Sequence, residues 1–209
     1  MRIISYIFII LLTPFLILTN YRILVFSQSF YNREFTSLGV YNLLDKNTVD
    51  NQSKILINYL CCSEKIDQNF FTERERSHLK DVKNLIKISQ IYIAFLSAAI
   101  LTCAVVLFIK SSKLLKSALF WGSLASVATV IMLALLSLVN FNFAFIKFHQ
   151  ILFNNDLWLL PESSNLIKLF PQKFFADFAN LIAYLTAAEA SIILIISKIW
   201  DMKFNKLPR

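Results

Sequence analysis

Four stretches of the chain are almost wholly apolar, and the polar residues fall between them. They are residues 5–26, 88–109, 118–145 and 181–200. Each approaches or exceeds the roughly 20 residues that a helix needs to cross a hydrocarbon core. The intervening segment 27–87 has a different character: Tyr31-Asn32-Arg33-Glu34, Asp45-Lys46-Asn47, Asp50-Asn51-Gln52 and Glu73 to Lys83 are too polar for lipid. Within it the pattern predicts a helix over 54–60, with Ile55, Leu56, Tyr59 and Leu60 on one face. Thr72, followed three residues later by Glu75, predicts a capping box that opens a second helix. His78, Asp81 and Leu85 share one face of that helix, spaced by three and four.

The resulting organisation is an all-α membrane protein with four transmembrane helices. Residues 1–26 form an uncleaved first span kinked at Pro14, 27–87 a small extracellular cap, and 88–109 the second span. A loop at 110–117 leads to the third span, 118–145, whose small-residue stripe Ala118, Gly122, Ser126 and Thr129 suits close helix packing. Residues 146–180 form an aromatic interfacial segment, with a turn at Asn154-Asn155-Asp156 between two apolar strands or half-turns. Pro171 there opens a short helix with Phe174, Phe175 and Phe178 on one face. The fourth span is 181–200, and 201–209 a tail.

Charge orients this ladder. The short connector carries Lys110, Lys113 and Lys116 without an acid, which assigns it to the cytoplasm. Arg2 at one end and Lys198, Lys203, Lys206 and Arg209 at the other place both termini inside. Residues 27–87 and 146–180 then share the outer face. The chain's two histidines, His78 and His149, meet at that interface.

Composition narrows the chemistry. Only 16% of the 209 residues are charged, against about 25% in soluble domains, which supports a membrane protein. The net charge of +8 reads as basic flanks of membrane spans, since no basic stripe with stacking aromatics points to nucleic acid. No close ligand pair marks a metal site, no nucleophile elbow surrounds Ser77, Ser163 or Ser164, and no phosphate loop or dinucleotide fingerprint is present. His149 and Asp156 are spaced too widely for the histidine–aspartate motif of glycerolipid acyltransferases. Cys61-Cys62 and Cys103 read as structural, and Glu189, the one carboxylate deep in a span, is either a functional group or is held neutral or paired with Asn or Ser groups of a neighbouring helix.

The two histidines carry the remaining possibilities. They are either interfacial residues with structural hydrogen bonds or a pair that moves protons near neutral pH. Asp81, one turn after His78, is a candidate to orient that ring, or else pairs with Lys80, Lys83 or solvent.

Thr72 through Lys83, Phe148-His149-Gln150-Ile151-Leu152-Phe153, Asn155-Asp156-Leu157-Trp158 and Leu169-Phe170-Pro171 together resemble a bacterial four-span membrane family. That family, formerly of unknown function, includes the lipoprotein intramolecular transacylases. The resemblance covers essentially the whole chain. It implies migration of the sn-2 acyl chain of a diacylglyceryl lipoprotein to the α-amine of its amino-terminal cysteine, giving a lyso-form product. It implies no cofactor, no nucleotide, and diacylglyceryl lipoproteins and membrane lipid as partners at the outer leaflet of the bacterial cell membrane. On this reading His149 is the base and His78 the oxyanion or orienting partner, with the reverse assignment open. Asp81, Tyr31, Asn32 and Asn142 are supporting or oxyanion candidates, and Phe153, Trp158, Phe170, Phe174 and Phe178 candidate lipid-binding residues. The alternatives are a membrane lipid esterase using the same histidines and a non-enzymatic membrane scaffold.

Overall fold

The computed structural model describes residues 1–63 and 65–204, all helix and connection with no strand among them. Its helices are α1 (Arg2–Val25), α2 (Gln28–Ser37), α3 (Val40–Leu43), α4 (Lys46–Cys61), α5 (Glu73–Lys110), α6 (Ser112–Leu152), α7 (Asn165–Leu169) and α8 (Gln172–Phe204). Helices α1, α5, α6 and α8 are each long and apolar enough to cross a membrane. Lys206 and Arg209, expected to help hold the carboxyl end inside, lie outside the described residues, as does most of the expected tail.

Of the described residues, 1–21, 90–135 and 180–204 form one compact unit. Phe8, Leu12 and Leu16 of α1 pack there with Leu107, Leu115, Ala118 and Ala190, and Cys103 joins them as a packing residue. The small-residue stripe has the expected use. A Cβ on Gly122 would come within 3.0 Å of the Leu12 side chain, so glycine permits this approach of α6 to α1. Ser126, one turn on, hydrogen-bonds Thr13 at 2.9 Å. Of the readings open for Glu189, the structure has the paired one: the Asn20 amide donates to its carboxylate at 2.8 Å and to Thr186 at 3.2 Å. Pro14 sits inside α1, which continues through it as helix.

Residues 22–89 and 136–179 form the second unit. Its interior is aromatic: Phe30, Tyr31 and Phe35 of α2 interlock with Phe170, Phe174 and Phe178 at ring separations of 5.4–6.2 Å. The predicted helix over 54–60 is longer, starting at Lys46 because the Asp45 carboxylate accepts from the Thr48 N–H and caps it. Cys61 and Cys62 at its end are joined to each other by a disulfide. The capping box at Thr72 forms as predicted: the Thr72 N–H and hydroxyl both donate to the Glu75 carboxylate, and the Glu75 N–H donates back.

Several boundaries differ from expectation. No break separates the cap from the second span, since α5 runs 38 residues without interruption. The expected loop 110–117 shrinks to Ser111, and Lys113 and Lys116 belong to the first turns of α6. Ser111 supplies the reason: its hydroxyl accepts from the Leu114 N–H and its carbonyl starts the new helix, so one residue suffices. Helix α6 is broken at Asn140, whose extended backbone (φ −159°, ψ 82°) interrupts the ladder. The Asn140 side chain then accepts from the Phe143 N–H, so a fresh helical segment begins there and carries His149. The interfacial helix expected after Pro171 is not separate, because nothing ends α8 between Gln172 and the fourth span.

Candidate functional site

Two helices bring the histidines together. His78 stands in the second turn of α5, just after the capping box, and His149 in the last turn of α6, both in the polar flanks of their apolar stretches. The imidazole centroids are 6.1 Å apart with planes tilted by 35°. Each histidine is 8% exposed. Phe153 stands against both rings, 5.3 Å from His78 and 5.7 Å from His149. Trp158 lies 4.9 Å from His149, and Phe145 4.3 Å on another side.

The surroundings settle one tautomer. His149 Nδ1 is 2.8 Å from the Phe145 carbonyl oxygen. A carbonyl only accepts, so Nδ1 carries the hydrogen and Nε2 keeps its lone pair. His78 Nδ1 is buried with no hydrogen-bond partner among the described residues. Burial, then the neighbouring His149, pushes the His78 pKa down from 6.5 to about 4, with Asp81 pulling weakly the other way. Burial also lowers His149, opposed by its bond to Phe145. Both imidazoles are therefore neutral at pH 7, the form that accepts a proton.

The other expected site residues divide. Asp81 accepts a 2.9 Å hydrogen bond from the Asn155 amide and does not meet the unpartnered His78 nitrogen. It ties down the 153–164 connection, as does Arg74, which donates to the Asp156 main-chain oxygen. Tyr31 is a core residue: 4% exposed, it donates its hydroxyl hydrogen to the Val25 carbonyl at 3.0 Å and has none left for an oxyanion. Asn32 and Asn142 are exposed, and each accepts from a glutamine, Gln28 and Gln172 respectively. Of the expected lipid-binding residues, Phe170 and Phe174 are buried in the aromatic interior, and Phe178 is half-buried and packs on Phe30. Phe153 and Trp158 are the members of that set at the histidines. Sequence reasoning missed the Phe145 carbonyl, although its position four residues before His149 on a helix is the signal for such a bond. No group of three His, Cys, Asp or Glu side chains is placed to hold a metal among the described residues.

A polytopic helical membrane protein with two neutral imidazoles facing one another is the class defined by this fold and site. The sequence matches the family described as lipoprotein intramolecular transacylase Lit over residues 6–175, and the chain belongs to that family. The fold is that of the membrane-integral lipoprotein intramolecular transacylase Lit from Bacillus cereus, with a TM-score of 0.89 over 99% of this chain and 98% of that one at 21% identity. A variant of the same Bacillus protein with one histidine replaced by alanine matches at a TM-score of 0.84 and 20% identity, over 99% and 96% of the two chains. An uncharacterised protein of Aquifex aeolicus is 28% identical over 138 residues; the match spans 65% of this chain and 60% of that relative's length.

Proposed function

We propose that the chain is an intramolecular acyltransferase acting on diacylglyceryl-modified lipoproteins. It moves the sn-2 acyl chain to the α-amine of the same lipid-bearing cysteine. One ester C–O bond breaks, one amide C–N bond forms, and the amine proton ends on the released glyceryl oxygen. Besides family membership, the observation that carries this reading is the pair of buried imidazoles 6.1 Å apart, one with its tautomer set by a main-chain carbonyl.

An α-amine has a pKa of about 8 and is mostly protonated at neutral pH. The ammonium first gives one proton to solvent; as the free amine attacks, His149 Nε2 takes a second proton from the nitrogen and delivers it to the leaving oxygen. His78 meets the carbonyl oxygen as charge develops on it; its unpartnered buried Nδ1 is a polar atom that substrate can satisfy. Amine and ester belong to one molecule, so holding the headgroup folded supplies much of the acceleration. Phe153 and Trp158 wall the place where it folds. The lysine-rich turn and both termini are cytoplasmic, and 27–87 and 146–180 face the outer leaflet.

Migration conserves atoms. Purified protein and a synthetic diacylglyceryl lipopeptide, without added phospholipid, should give a product of unchanged mass with one chain on the cysteine nitrogen by tandem fragmentation. His149→Ala and His78→Ala should each slow this by about 100-fold or more. Loss of an acyl chain to water, or equal turnover of an N-acetylated lipopeptide, would establish a hydrolase instead.

A further inference from the structure

We propose that a depression beside the histidines binds the charged head of the substrate, with Asp156 receiving its α-ammonium. This rests on the acyl-transfer reading and adds a residue which that reading leaves unused. A cavity of about 400 Å³ is lined by Gln150, Phe153, Asn154, Asn155, Asp156 and Trp158, together with apolar side chains. It is continuous with the histidine site through two shared walls, because the rings of Phe153 and Trp158 pack against His149.

The wall chemistry selects the ligand. Asp156 is the single ionisable side chain lining the cavity, and the other polar walls are amides suited to peptide bonds. The Asp156 carboxylate makes no hydrogen bond or ion pair among the described residues. The connection is held by other atoms: the Asp156 main-chain oxygen accepts from Arg74, Asn155 donates to Asp81, and the Asn155 side chain accepts from the Leu157 N–H. An acid without a structural task therefore lines a cavity that adjoins a base. The head of a diacylglyceryl lipopeptide offers one cation, its ammonium, and most molecules carry it at neutral pH. The carboxylate holds this form until one proton passes to solvent, and His149 takes the next as the freed amine attacks. Such pairing stabilises bound substrate without being specific to the transition state, so it acts on KM more than on kcat.

The test uses the full chain in detergent micelles and a synthetic diacylglyceryl-cysteine peptide with a free amine. Asp156→Asn should raise KM about fivefold at pH 6.5, with kcat within about twofold of wild type. The difference should close above about pH 9, where the amine has lost its charge. Arg74, Asp81, Glu162, the two histidines and Lys147, which donates to Gln150 of the lining, are charged or titratable groups around this connection; the substrate amine is the group whose charge the pH series changes. Asp156→Glu should restore most of the affinity, and Glu162→Gln, which neutralises an exposed acid of the same connection outside the cavity, should leave KM unchanged. An unchanged KM in Asp156→Asn, an equal rise in Glu162→Gln, or a fall in kcat at every pH overturns this inference alone. Absence of the equal-mass product with the wild-type chain overturns the acyl-transfer reading and this inference with it.

Discussion

His149 takes its proton assignment from main chain, and His78 takes its neutrality from burial. Asp81, hydrogen-bonded to Asn155, favours the charged form of His78 only weakly against that burial. The consequence is measurable as stability. His78 titrates at about 4 in the folded chain against 6.5 for the free group. Between these values the unfolded chain binds more protons, so stability rises with pH. The contribution is fully present above about 6.5 and is lost as pH falls towards 4. The melting temperature in detergent should therefore fall across that window. His78→Gln, which cannot take up the proton, should flatten the fall relative to wild type; parallel curves would remove His78 as its source.

Among the elements, the start of α5 depends on one side chain. Glu75 is 0% exposed; one carboxylate oxygen accepts from the Thr72 N–H and hydroxyl, the other from the Leu166 N–H at the start of α7, at 2.7–2.8 Å. It thus caps the helix that presents His78 and anchors a distant segment to it. In Glu75→Gln the amide nitrogen must face a donor, leaving a buried N–H unpaired at a cost of about 1–3 kcal/mol. Thermal unfolding should register that loss, while Glu73→Gln, an exposed neighbour, should unfold like wild type. Equal melting of the two variants would mean that the clamp adds nothing. The break at Asn140 works in a similar way, since a single asparagine both interrupts α6 and caps its continuation.

At the scale of the whole molecule, four helices are long and apolar enough to cross a membrane; successive crossings reverse direction, so one loop assignment sets the rest. The tightest connection is the single residue Ser111 between α5 and α6, flanked by Lys110, Lys113 and Lys116. Short basic turns stay on the cytoplasmic side. A cysteine at Lys113→Cys should react with an impermeant maleimide only after cells are permeabilised. Labelling of intact cells would invert the topology and place 27–87 and 146–180 in the cytoplasm.

The sequence by itself determined the number of spans, the capping box at Thr72, the small-residue face around Gly122 and the two histidines as the chemistry worth following. These depend on local periodicity, on one-turn spacings and on the scarcity of titratable groups in an apolar chain. The lysine pattern also determined an expected orientation. Tertiary structure alone decided which aromatic side chains became core. Phe153, Phe170 and Phe174 have the same side chain, yet only Phe153 meets the imidazoles, because packing depends on partners far away in the chain. Tertiary structure also gave Asp81 to Asn155, 74 positions away, where sequence offered His78 three residues off. Helix boundaries fell between these cases. Ser111 and Asn140 are ordinary capping residues, but whether a cap stops a helix or restarts it depends on backbone conformation, and hydropathy carries no information about that.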